Sequence, residues 1–190
     1  MRRQITIEAF SILGDFLSQF KSESSEKNNN SLNEGFYESF TSAIYAAKIH
    51  NGWFEEEQVR RAVTSLSNWL TVHILTDWAN KYPEVKTANT VGLIMAGNIP
   101  LVGFHDFVCV LVSGNKALVK LSSDDKILMS IIVKMLIHLN ADFLERVEFT
   151  EGRMQNFNAI IATGSDNTAR YFEHYFGKYP HIIRKNRNSV

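Results

Sequence analysis

Residues 90–125 read TVGLIMAGNIPLVGFHDFVCVLVSGNKALVKLSSDD, and this stretch decides the fold. Thr90–Met95 is a short apolar run rich in strand formers, and Ala96–Pro100 (AGNIP) is a turn. Val102–Ser113 reads as an apolar helix ended by Gly114-Asn115. Ala117–Leu121 (ALVKL) is a second strand, and Ser122–Asp125 caps an amphipathic helix over Lys126–Leu139. Strands that alternate with helices of this length point to a mostly parallel sheet covered on both faces.

The pattern continues downstream. Val147–Phe149 and Asn158–Ala162 (NAIIA) read as strands, and Thr163–Asp166 opens a helix over Thr168–Phe176. Upstream the texture is helical. Apolar residues recur at helical spacing from Ile5 to Phe20 and again from Phe36 to His50. Asn51-Gly52 closes the second of these helices as a pair suited to positive φ. Phe54–Trp78 reads as one long helix, with Glu55, Glu56 and Glu57 in its first turn, where the helix dipole favours negative charge. Between the first two helices, Lys21–Asn33 (KSESSEKNNNSLN) is polar and aperiodic, so it reads as an exposed mobile linker. The expected fold class is therefore α/β. A helical segment over residues 1–85 precedes a Rossmann-like, mostly parallel sheet over residues 86–190.

Composition narrows the function. The chain has 190 residues, 45% of them hydrophobic, with 20 Lys+Arg against 20 Asp+Glu. That apolar fraction suffices for a real core and excludes global disorder. A net charge of zero removes the footprint of a dedicated nucleic-acid binder. The basic run His181–Arg187 therefore reads as an exposed strand or tail. One cysteine cannot form an internal disulfide, and the six histidines show no metal-ligand spacing, so no metal is expected. No stretch approaches the length of a membrane span, and the N-terminal residues do not form a signal peptide. A soluble, cytoplasmic protein is expected.

In a parallel sheet, ligands bind beyond the carboxyl ends of the strands. Three polar turns fall there: Met95–Pro100, Leu121–Asp125 and Thr163–Asn167. Each leads from a strand towards a helix N-terminus, where free N–H groups favour an anion. Gly, Ser and Asp also serve simply as helix caps, whatever a protein does. Together the three turns point to a nucleotide site, although neither G-x-G-x-x-G nor G-x-x-x-x-G-K-[ST] is present.

The order GNIP (97–100), SGNKALVKLSS (113–123), ATGS (162–165) resembles the nucleotide-binding domain of the aldehyde dehydrogenase superfamily, where W-N-F-P, A-G-N-x-V-V-x-K-P-S-E and F-T-G-S turns follow one another. The wording over residues 90–190 looks closest to the acyl-CoA reductase branch, which is similar to the fatty-acid reductase subunit of bacterial bioluminescence. The resemblance implies that Asn98 donates its amide to the oxyanion of a tetrahedral intermediate. By itself Asn98 reads first as a turn or capping asparagine. It implies that Lys120 reaches the adenosine ribose, though a strand-end lysine also snorkels without any ligand. Gly164 and Ser165 would sit against the pyrophosphate. Ser122 and Ser123 stand where the family has Ser-Glu. Loss of that carboxylate removes repulsion against a 2′-phosphate, so NADP is favoured over NAD. Tryptophan and phenylalanine of the family turns are replaced by Gly97 and Ala162.

Family members attack their substrate with a cysteine thiolate. Cys109 lies within an apolar helix and between two cofactor motifs, so it reads as a small, buried, inert thiol. The nucleophile is then expected beyond Val190. The chain is expected to be the cofactor-binding N-terminal part of an NADP(H)-dependent acyl-CoA reductase, inactive alone. Its partners would be a fatty acyl-CoA or aldehyde and, in a homo-oligomer, a second copy of itself. A non-catalytic nucleotide-binding module or a protein-interaction module is the alternative.

Overall fold

Strands of three to six residues, three of them followed by a helix or a turn of helix, build one sheet whose pairings are all parallel. The structure, a computed structural model, describes residues 3–22 and 26–185. The strands are β1 (Thr90–Ile94), β2 (Lys116–Lys120), β3 (Val147–Phe149), β4 (Ala159–Gly164) and β5 (His181–Lys185). The helices are α1 (Arg3–Ser18), α2 (Asn33–His50), α3 (Glu56–Trp69), α4 (Val72–Ala79), α5 (Phe104–Val112), α6 (Ile127–Leu139) and α7 (Asp166–Phe176). Strand order is β3-β2-β1-β4-β5. The chain thus winds outward from β1 to β3, returns to the other side of β1, and winds outward again. The point of reversal lies between β1 and β4, where a crevice opens in sheets of this kind.

The two faces are covered unequally. Val91, Leu93, Ala117 and Val119 belong to a continuous apolar core shared with α1 to α6. Leu118 and Ile160 belong instead to a small second cluster with Met154 and Phe157, joined by Phe176 and Tyr179. Gly92 matters on that thin face, because a Cβ there would stand 2.8 Å from the Met154 methyl.

On the thick face α1 is the hub. Its helical stripe of Phe10, Leu13, Phe16 and Leu17 is fully buried. The Phe10 ring meets Phe104 of α5, Phe107 of α5 and Phe143 edge-on, each with centroids 6.2 Å apart. Such pairs add to the burial itself. Arg146 ties the same layer together from a buried position. Its guanidinium donates to Thr6 Oγ1 (3.0 Å), to Leu111 O (2.5 Å) and to Asn115 O (2.9 Å).

Three local expectations change. The Phe54–Trp78 helix is two helices, broken at Leu70-Thr71. Thr71 caps α4 by accepting from Ile74 N–H, and Leu70 turns inward against Gly14 of α1. Only glycine fits at that contact, since a Cβ on Gly14 would lie 2.6 Å from Leu70 Cβ. Asn51 is extended (φ −136°), not left-handed. Its side chain accepts from Trp53 N–H and donates to Gly97 O. The polar stretch over residues 26–33 is also tied down. Asn30 donates to Ile12 O and Asp15 Oδ2, Gln19 donates to Asn33 Oδ1, and Leu32 is fully buried. Asparagine runs mimic backbone turns, and here they satisfy the end of α1. Residues 23–25 of the expected linker lie outside the described residues.

Removing the ring of Phe10 deletes three aromatic contacts and leaves a cavity. Phe10→Ala is expected to cost about 3–5 kcal/mol, against at most about 0.5 kcal/mol for Ile49→Ala at an exposed site. Urea denaturation of the two variants measures the difference.

Candidate functional site

The register places the three motif turns side by side. Lys120 of β2 and Ala162 of β4 both pair with Ile94 of β1. With strands about 4.8 Å apart, the backbones of Lys120 and Ala162 flank the last residue of β1 within about 10 Å of each other. Beyond that row lie Gly97-Asn98, Ser122-Ser123 and Gly164-Ser165.

Each predicted residue can be located. Asn98 is exposed and lines a cleft of about 600 Å³ with Asn51, Trp53, Gln58, Gly97 and Asp124. Gly97 is buried against the Ser122 side chain, whose Cβ would be 2.6 Å from an added Cβ. Lys120 Nζ donates to Gly152 O at 2.8 Å. Ser122 Oγ accepts from Asp124 N–H, and Ser123 Oγ donates to Asp124 Oδ1. Ser165 caps α7 by accepting from Thr168 N–H at 3.3 Å. The hydrogen at Gly164 makes room for α7, since an added Cβ would lie 3.0 Å from Phe172 Cε2 and 3.1 Å from Thr168 Cβ. Ser122 and Ser165 thus act as caps, Ser123 binds a neighbouring carboxylate, and Ser123 and Ser165 are exposed to solvent.

Sequence reasoning missed the wall on the thin face. Ile94, Lys120, Arg153, Met154 and Phe157 line a cavity of about 610 Å³ with Tyr171, Phe172, Tyr175, Phe176, Lys178 and Tyr179. Three cations and a bank of aromatic rings line this cavity along the thin face, with Ile94 and Lys120 at the carboxyl ends of β1 and β2 and Phe157, Lys178 and Tyr179 near the amino ends of β4 and β5. The signal was visible as the aromatic pairs Tyr171-Phe172 and Tyr175-Phe176, four residues apart on one helix face. Arg153 had no such signal, because it lies in a loop that only the tertiary fold brings to Lys120.

Cys109 is half-buried rather than sealed in the core. It sits 3.8 Å from His105 Nδ1. Asp106 first, and then the thiol, raise the His105 imidazole above its ordinary 6.5. Cys109 also lines an apolar cavity of about 500 Å³ with Val91, Ala159, Pro180 and His181. These residues stand at the amino ends of β1, β4 and β5, so the thiol faces away from the motif turns. Arg184 and Lys185 of the basic run pair with Asp106 (2.8 Å) and Glu173 (3.0 Å); residues 186–190 lie outside the described residues.

A further group was not foreseen. Asp125 is 9% exposed, and its carboxylate accepts from Leu101 N–H at 2.6 Å. Leu101 is buried with φ +59°, a conformation that costs a leucine about 1–2 kcal/mol. Burial pushes the Asp125 carboxyl up to about 7, opposed by that hydrogen bond.

The architecture is that of the aldehyde dehydrogenases. Proline utilization A superposes with a TM-score of 0.65 at 14% identity, over 98% of this chain and 20% of that one. A protein described as aldehyde dehydrogenase PutA from Anabaena variabilis gives 0.59 at 14% identity, over 96% of this chain and 44% of the other. A Burkholderia cenocepacia protein described as an aldehyde dehydrogenase gives 0.59 at 14%, over 94% and 39%. These likenesses define an α/β chain with the fold of the aldehyde dehydrogenases. Residues 4–182 match the family described as acyl-CoA reductase (LuxC), and the chain belongs to that family. It is 23% identical over 130 residues to the long-chain acyl-protein thioester reductase of Aliivibrio fischeri, spanning 60% of this chain and 27% of that protein. Among the described residues no helix is long and apolar enough to cross a membrane.

Asp125 imposes a pH dependence on stability. Its folded-state value of about 7 lies above the ordinary 3.8, so the folded chain binds this proton more tightly than the unfolded chain. Its contribution is full below about pH 4, falls as pH rises towards 7 and is flat above that. Asp125→Asn should remove this slope, so thermal melts between pH 5 and 8 should show the variant gaining on the wild type as pH rises.

Proposed function

We propose that this chain is the cofactor-binding part of an NADP(H)-dependent acyl-CoA reductase that converts a fatty acyl thioester into an aldehyde through a cysteine acyl-enzyme. The thiol in question is not Cys109, whose cavity opens at the amino ends of the strands. The observation that carries the reading is the thin-face cavity, where Lys120 and Arg153 border an aromatic wall that runs back from the strand-end turns. Membership of the acyl-CoA reductase family supports a thioester substrate. We assign residues 86–190 to cofactor binding, with the helices of residues 1–85 as their cover, and place the protein in the cytoplasm.

The residues fit a dinucleotide. Its bases are flat and apolar at their faces, which suits Tyr171, Tyr175 and Phe157, and its phosphates and ribose hydroxyls suit cations. Lys120 at present donates to a neutral carbonyl, a contact that a ribose oxygen can replace. Arg153 stands next to it as the planar donor for a 2′-phosphate, and Ser123, whose hydroxyl here donates to Asp124, stands where the family has a glutamate. The N–H groups at the start of α7, after Gly164 and Ser165, hold the pyrophosphate. When bound, reduced nicotinamide supplies the hydride. Asn98, exposed in its cleft, donates its amide to the oxygen that gains charge as the thioester carbonyl is attacked.

Calorimetric titration of the purified chain with NADPH and with NADH tests this. Saturable binding with NADPH favoured is expected. Lys120→Ala should weaken both nucleotides about tenfold, and Arg153→Ala should weaken NADPH about tenfold or more while sparing NADH, as for the loss of one charged hydrogen bond. A folded chain that binds neither nucleotide overturns the cofactor assignment.

A further inference from the structure

We infer that Asp125 is a positioning residue that locks the turn carrying Asn98 to the turn carrying Ser122 and Ser123. The inference rests on the reading of Asn98 as an oxyanion donor and of the two serines as cofactor contacts.

The carboxylate is placed at a cost. It is buried, the backbone N–H of Leu101 is the hydrogen bond that holds its charged form, and desolvation opposes that form. A buried carboxylate opposite a single neutral donor weakens a fold more than an apolar side chain of similar size. What Asp125 secures is local. Leu101 is a buried residue in the left-handed region, and a non-glycine residue stays there only when its surroundings hold it. The 2.6 Å bond from its N–H to Asp125 is that hold.

The other end of the same turn is fixed independently. Gly97 O accepts from the Asn51 side chain at 3.1 Å, and Gly97 packs so closely on Ser122 that no Cβ fits. Asn98 therefore lies between two anchors, Gly97 and Leu101, both joined to the segment Ser122–Asp125. A ligand that orders Ser122 and Ser123 is thereby felt at Asn98. The coupling is short and passes through named contacts rather than through the sheet.

Nuclear magnetic resonance of the ¹⁵N-labelled chain reads this directly. In Asp125→Ala, Leu101 amide exchange should rise at least tenfold, and the Gly97 amide and Asn98 side-chain amide signals should move. Asp125→Asn keeps an acceptor oxygen and should restore all three, which a loss of general stability would not explain. Adding NADPH should shift Ser122, Ser123, Asn98 and Leu101 in the wild type, but only the two serines in Asp125→Ala. If that variant does not fold, Asp125→Ser, too short to reach Leu101, takes its place. Unmoved Asn98 and Leu101 signals in a folded variant overturn the inference, as does a failure of every Asp125 variant to fold. No shift with NADPH in any form, with the variant effects on Asn98 intact, would instead count against the cofactor assignment and leave the lock standing.

Discussion

A parallel sheet presents two apolar faces, and both call for cover. Everything on the thick side of this molecule follows from how α1 meets that demand. Phe10 sits where α5 and the segment around Phe143 converge, and three edge-on rings close around it. Gly14, one turn further along, lets the Leu70 turn approach until backbone touches backbone. The break between α3 and α4 is a consequence of that contact. Arg146 completes the seal by reaching from the start of β3 to Thr6 of α1, with its charge spread over two backbone carbonyls. Desolvation pulls its guanidinium below the usual arginine range, opposed by the charge of Asp142, and the three hydrogen bonds fix its position.

The thin side is different in kind. Leu118, Met154, Phe157 and Ile160 form a cluster too small to close the face, and the space left over is the aromatic and cationic cavity. The unequal cover is what creates the cavity that we assign to the cofactor. One face is packed to hold the strand ends in register, and the other is left partly open beside the turns that those strand ends present. The reversal of winding at β1 and β4 brings the turns to one place. Ser122 and Ser165 cap the helical turns that follow, which fixes those turns at the strand ends.

Two buried charges illustrate how differently such groups can be used. Arg146 has three oxygen partners and ties distant layers. Asp125 has one N–H partner and ties two adjacent turns. The first serves the fold. The second burdens the fold with a carboxylate raised to about 7, and its reward lies in the geometry of Leu101 and Asn98.

Much of this was legible in the chain itself. The alternation over residues 90–125 determined the strand–helix–strand order, because the period of side-chain alternation is a local property of the backbone. The three polar turns and their family wording located Asn98, Lys120, Ser122, Ser123, Gly164 and Ser165 for the same reason: caps and tight turns are written in neighbouring residues. The tertiary structure alone decided the rest. The break at Leu70 depends on Gly14, and the ordering of residues 26–33 depends on Asp15, Ile12 and Gln19. Arg153 reaches the Lys120 cavity through a loop, and Asp125 finds Leu101 across a turn, helix and strand. In each case the two partners are far apart in sequence, and no periodic pattern records a contact that forms only when separate elements pack. Local order was set by the sequence, whereas the shape of the site was set by close packing between pieces that carry no sign of one another.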